Sequence, residues 1–247
     1  MKSLKNTLAL YDALLDGVKS DAPVLETAGG DCWAMAASAE GMGLGMMTPV
    51  ESIPPLYPEG LRGLPLREAA RAASGWNLRE ASFGLAAANA FYNTPARLAA
   101  LNCELPMEDY PTAGLDLAGK TVGIVGHMRG LRGLREIAKA VYVLERAPQP
   151  GDYPDAACDW LLPRCDVVLI TGSSLINKTL PHLLTLCERA VTILLGPSVP
   201  LCPALLDFGI DRLSGLAVIE RAAMADHVRR SVHGSPYGMG RSFLLKR

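Results

Sequence analysis

The chain has 247 residues, 49% of them hydrophobic and 20% charged, with a formal net charge of −1 at pH 7. That describes one large or two small globular domains, and the near-zero charge excludes a strong long-range pull toward nucleic acid or anionic lipid. No apolar run reaches the roughly 18 residues needed to cross a bilayer, and the start lacks the apolar core of a secretory signal, so a cytoplasmic protein is expected.

In chain order, Leu4, Leu8, Tyr11, Leu14, Leu15 and Val18 recur at spacings of three and four, which predicts one amphipathic helix. Its stripe serves either an internal core or a homo-oligomer. Val24–Thr27, Cys32–Ser38 and Met42–Thr48 read as short strands, with Gly29-Gly30-Asp31 between the first two. Met42, Met46 and Met47 suit core filling better than a soft-metal site. Residues 49–65 hold five prolines and read as an ordered loop. A helix follows over Leu66–Ser74. Asn77 caps the next one, which runs through Leu78, Phe83, Ala86 and Ala90, and Thr94-Pro95 breaks or restarts it. Asn89 and Asn93 are four apart on one alanine-rich face, placed to hydrogen-bond a neighbouring loop or a ligand.

Pro106, Pro111, Gly114 and Gly119 mark a boundary near 104–119. Beyond it, five short apolar or β-branched runs (121–126, 140–145, 166–171, 191–196, 216–219) alternate with helical or loop segments. The helical segments fall at about 130–138, 155–162, 176–189, 202–208 and 220–233. Such alternation predicts a parallel sheet joined by right-handed crossovers. Ligands of such sheets collect at the carboxyl ends of the strands, where strand order reverses.

That rule selects the loops at 126–130, 145–152, 171–177 and 196–200. Gly126 ends the first strand, but the following glycines do not complete a dinucleotide fingerprint. His127 follows directly, and its imidazole suits metal binding or proton transfer. Glu145, 19 positions after Gly126, suits a ribose hydroxyl or a pairing with Arg146. Thr171, Gly172, Ser173, Ser174 and Asn177 offer hydroxyls and amides to an anion, or a helix cap. Gly196 opens the last loop. Gly172-Ser-Ser-Leu-Ile lacks the Gly-x-Ser-x-Gly elbow, which argues against a serine nucleophile. Arg129, Arg132 and Arg135 read as a solvated helix face, and His182, His227 and His233 as surface residues. The six cysteines are scattered, without the spacing of a zinc knuckle or a disulfide framework.

Gly84–Asn93, Thr121–His127, Leu144–Asp152, Asp166–Asn177 and Leu195–Pro200 together resemble the DUF364 heavy-metal chelation family with its DUF4213 N-terminal partner domain. The resemblance covers nearly the whole chain. It implies an α/β protein in which residues 1–104 form an enolase-N-like α+β domain. Residues 119–247 then form a Rossmann-like domain with a mostly parallel sheet of five or more strands. It also implies a cleft between them that gathers Asn89, Asn93, His127, Glu145 and the 171–177 loop.

Besides a non-catalytic assembly subunit that buries the Leu4–Val18 stripe in a homodimer, two functions stay open. In one, the cleft binds a small anionic or metal-chelating ligand, held by backbone amides near Gly126, Ser173 and Gly196. His127 and Glu145 would meet a divalent transition metal such as zinc, iron, nickel or cobalt. In the other, the chain is a transferase or oxidoreductase using S-adenosylmethionine, NAD or a similar nucleotide cofactor. Neither nucleic acid nor membrane is an expected partner.

Overall fold

A computed structural model describes residues 7–105, 112, 115–128, 132–232 and 234–247. Leu4, Pro106, Pro111, Gly114, Arg129, Gly130 and His233, singled out above, lie outside the described residues.

The chain begins with α1 (Thr7–Asp16) and a three-stranded antiparallel sheet of β1 (Glu26–Gly29), β2 (Trp33–Ala37) and β3 (Met42–Met46), in the order β1-β2-β3. After the proline-rich loop come α2 (Leu66–Ala69), which passes into a 3-10 segment (Ala70–Ser74), then α3 (Leu78–Tyr92) and α4 (Pro95–Ala100). The predicted Asn77 cap forms, its Oδ1 accepting the Glu80 amide at 3.0 Å, and the restart at Thr94-Pro95 carries a cap of its own, Thr94 Oγ1 accepting the Arg97 amide at 3.4 Å. Leu10, Leu14, Leu15 and Val18 are buried in the protein's own core, so the α1 stripe is intramolecular.

Register explains the two faces of the small sheet. Trp33 pairs with Met46, Met35 with Leu44 and Ala37 with Met42. These side chains share one face and pack with Leu216, Val218 and Met224, so Met42 fills core and Met46 packs against it. The alternate residues are Ala34, Ala36, Gly43 and Gly45, and they let α3 lie directly on the strands. A Cβ on Gly43 would stand 2.2 Å from the Ala86 carbonyl oxygen.

The second half comprises β4 (Thr121–Val125), α5 (Arg132–Ile137), β5 (Ala140–Glu145), β6 (Tyr153–Pro154), α6 (Cys158–Leu161), β7 (Val167–Thr171), α7 (Ser173–Ile176), α8 (Leu180–Leu186), β8 (Val191–Leu195), β9 (Arg212–Val218), α9 (Arg221–Arg229) and β10 (Gly240–Lys246). They build a seven-stranded sheet in the order β10-β9-β8-β7-β4-β5-β6. Every pairing is parallel except the last, β10 on β9. The mostly parallel sheet matches expectation. The short β6 and the antiparallel β10 were not foreseen, and β9 begins earlier than its apolar run, at Arg212.

The two sheets belong to one packed body. Asn93 Nδ2 donates to the carbonyls of Val199 (2.8 Å) and Leu216 (3.2 Å), and its Oδ1 accepts the Leu201 amide (2.9 Å). Tyr11 donates to Leu175 O, Ser198 Oγ accepts the Met46 amide, and Arg221 donates to the carbonyls of Ser38 and Glu40.

Candidate functional site

The chain enters the large sheet at β4, adds β5 and β6 on one side, then returns to lay β7, β8, β9 and β10 on the other. Strand order therefore reverses between β4 and β7, and the crevice of this doubly wound arrangement opens above their carboxyl ends. Gly126-His127 leaves β4 there, and Thr171 through Asn177 leaves β7. The two loops touch: a Cβ on Gly126 would lie 2.8 Å from Thr171 Cγ2, and Gly126 sits at φ +98°, where only glycine is at ease.

The small sheet and its helices cover the neighbouring half of this edge. Their hydrogen bonds reach Leu175, Ser198, Val199, Leu201 and Leu216, all on the β7–β9 side. Lys178, just after α7, donates to the Ala73 carbonyl at 2.5 Å, and burial pulls its amine down to about 8. On the β4–β5 side the His127 side chain is 39% exposed.

Around His127 the contacts are specific. Glu145 Oε1 accepts the His127 amide at 2.8 Å, and Glu145 Oε2 accepts that of Arg146 at 2.8 Å. The acid at the end of β5 thus caps two loops with its own carboxylate, and its partner at Arg146 is the amide. Imidazole Nε2 lies 2.5 Å from Asp152 Oδ2, which also accepts the Gln149 amide at 2.9 Å. Those two bonds, the Gln149 amide first, hold the Asp152 carboxyl below its usual range. Imidazole Nδ1 faces Glu145 Oε1 across 3.9 Å.

Several expected donors are spent elsewhere. The amides of Gly126, Gly172 and Gly196 donate to Leu144, Leu195 and Ser214, extending the strand ladder by one residue. They are no anion cradle, because a parallel strand claims its next amide before a ligand can. Thr171 Oγ1 and Ser173 Oγ lie 3.1 Å apart and part-buried, a hydroxyl pair at the crevice. Ser174 Oγ donates to the Thr171 carbonyl, and Asn177 Oδ1 accepts from Thr179, so both organise the loop.

Asn93 is wholly committed to the backbone beyond β8 and in β9. Asn89 Nδ2 donates to Leu44 O at 2.7 Å, while its Oδ1 is buried with no partner among the described residues. None of their hydrogen bonds reaches the His127 loop. Asp152 is the residue that sequence reasoning missed. Its only signal was an acid closing the turn after Gln149-Pro-Gly.

Among the described residues no group of three or more His, Cys, Asp and Glu could hold a metal ion. The thiols offer no alternative. Burial, with Asp155 and Asp159 nearby, pushes Cys158 up to about 11, and burial with Asp166 does the same to Cys165. His182 pairs with Asp159 at the surface, but His227 is partly buried and its Nε2 is enclosed with no hydrogen-bond partner among the described residues, so the surface expectation fails there. A separate cavity of about 240 Å³ lies under the proline-rich loop, between Tyr57, Leu61, Glu80 and Phe83. No helix among the described residues is long and apolar enough to cross a membrane.

Residues 114–242 match the DUF364 family model and residues 11–92 the DUF4213 model, each described as "Putative heavy-metal chelation". The chain is similar to a DUF364-family protein of unknown function from Desulfitobacterium hafniense. The two are 37% identical over 98% of each chain, with a TM-score of 0.87. A DUF364-family protein of unknown function from Pyrococcus horikoshii shares the fold at 20% identity, over 99% of this chain and 100% of that one, with a TM-score of 0.79. An uncharacterized protein of Methanocaldococcus jannaschii is 32% identical over 108 residues, 41% of this chain. The match covers 42% of that relative's length.

Proposed function

Because the chain belongs to the DUF364 family, we propose that it is a cytoplasmic protein of two domains, 1–104 and 119–247. In this reading it binds a small anionic, metal-chelating ligand in the crevice above β4 and β7. The observation that carries the reading is the reversal of strand order at that point, with Gly126-His127 and Thr171–Ser173 packed on its two sides. His127 Nδ1 and Glu145 Oε1 are the nitrogen and oxygen that would face a divalent metal, and the Thr171 and Ser173 hydroxyls would meet the ligand's oxygens.

Two protein donors do not close a coordination sphere. The remaining positions fall to the ligand, so the cargo that fits is a metal already held by a small oxygen or nitrogen chelator. The metal would supply positive charge that draws the ligand's oxygens to the crevice. The chain's residues orient and enclose it.

Thermal denaturation of untagged protein with Zn²⁺ and oxalate tests this, since a ligand of the folded state raises apparent stability. The melting temperature rises in the wild type and stays put in His127→Ala. An identical rise in both removes His127 from the site, and no rise in the wild type removes the metal reading.

The same strand order favours a second reading, an enzyme holding a dinucleotide or S-adenosylmethionine. Each Glu145 carboxylate oxygen accepts one backbone amide and keeps a lone pair, so a ribose hydroxyl could be accepted there as well as a metal. A melting temperature raised by NAD or S-adenosylmethionine, and not by metal, would select it.

A further inference from the structure

We propose that the cavity under the proline-rich loop is a second binding site, which takes a small organic cation: an amine carried on an apolar body. All of its lining residues come from the first half of the chain, so the site stands apart from the crevice above β4 and β7. Hydrogen bonds hold the loop over this hollow at both ends and in the middle. The Arg79 amide donates to Val50 O at 3.1 Å, and Asn77 Nδ2 donates to Ile53 O at 2.9 Å. The amides of Leu56 and Tyr57 donate to Glu80 Oε2 and Oε1 at 2.8 and 2.7 Å. At the far end Gly63 donates to Val24 O, and Val24 donates to Leu64 O. Pro54, Pro55 and Pro58 stiffen the span, and Gly60 turns it at φ +81°. A ligand therefore meets a frame that is already ordered, which lowers the entropic cost of binding.

Size and charge select the class of ligand. A volume of about 240 Å³ equals that of about eight waters, room for a molecule of about that many non-hydrogen atoms. Pro55, Pro58 and Leu61 supply apolar wall, and Tyr57 and Phe83 supply rings. The Tyr57 hydroxyl spends its proton on Glu68 O at 3.2 Å. The charged lining residues are Glu51, Arg79 and Glu80. Glu51 and Arg79 neutralise one another at 3.0 Å, so the remaining charge is the Glu80 carboxylate. Glu80 is 8% exposed, and its partners are neutral amides. Each of its oxygens accepts one amide and keeps a lone pair for a further donor. An ammonium group would gain a charge-assisted hydrogen bond there and the faces of nearby rings. An anion would meet Glu80 instead. The start of α3 offers it little, because the Arg79 and Glu80 amides are already taken by Val50 O and Asn77 Oδ1.

The test is a titration of protein labelled with ¹³C in its Phe and Tyr rings, at pH 7 with EDTA present throughout. The probes are benzylamine, benzyl alcohol and benzoate, which are similar in size and differ in charge. Benzylamine moves the Tyr57 and Phe83 ring resonances and binds about tenfold more tightly than benzyl alcohol, and benzoate moves neither ring. Glu80→Gln brings the amine down to the level of the alcohol. Because that change also touches the loop's anchor, Phe83→Leu serves as the second variant. Phe83 takes no part in the loop's hydrogen bonds, and its loss cuts the preference for the amine several-fold. Equal affinity for amine and alcohol in the wild type overturns the proposal. So does a preference for the amine that survives in both variants, or binding that moves neither ring. If none of the three probes binds, the cavity is no site. With the chelator present, the fate of the metal reading has no bearing on any of these results.

Discussion

Lys178 shows how one side chain can carry a pH signature for the junction of the two sheets. Its amine is buried against Ala73 O and lies 5.1 Å from the Tyr11 ring, and burial lowers it from 10.5 to about 8. Between those values the unfolded chain binds more protons than the folded one, so stability rises with pH across that window. Below pH 8 the cost of burying the charged amine is fully present. Urea unfolding of the wild type and Lys178→Met should therefore diverge in the wild type's favour from pH 8 to 10. A difference independent of pH would mean that the amine is effectively solvated. Residues of this kind were opaque in the sequence, because nothing local to Asn177-Lys178-Thr179 says that Ala73 will lie against it. His127 was legible, since its position directly after a β-type run places it at the mouth of the sheet. Asp152 was not, because the pairing depends on how the turn after Pro150 folds back.

At the scale of elements, periodicity and capping gave most of the architecture: α3 begins at its Asn77 cap, and all five apolar runs of the second half became strands. What escaped was the material that tertiary contact creates. The two residues of β6 carry no pattern of their own, and β10 alternates too weakly to be read before its pairing with β9 is known. The α3–β3 contact yields a sharp prediction. Gly43→Ala places a methyl against the Ala86 carbonyl, which is helix backbone and cannot yield alone. A loss of roughly 1–3 kcal/mol is expected, measured by chemical denaturation. A neutral result would show that α3 is free to lift off the small sheet.

For the molecule as a whole, the decisive fact is a core that ignores the boundary near 104–119. Leu10, Leu85, Leu175 and Leu194 fall in one continuous apolar cluster, and Asn93 is bonded to three backbone groups across the junction. Calorimetry should record one unfolding transition whose calorimetric and van't Hoff enthalpies agree. Two resolved transitions would mean that the halves are energetically separate. Composition could not show this coupling, since the sequence marks a boundary clearly while the contacts that erase it join residues far apart in the chain.

The reach of Asn93 also bears on how the protein is made. Its most distant partner, Leu216, comes 123 positions later. A ribosome adding about 5–20 residues per second leaves that amide waiting on the order of ten seconds. During that interval α3 can already settle on β2 and β3, while the Asn93 side chain at its end waits for Val199, Leu201 and Leu216 to be made.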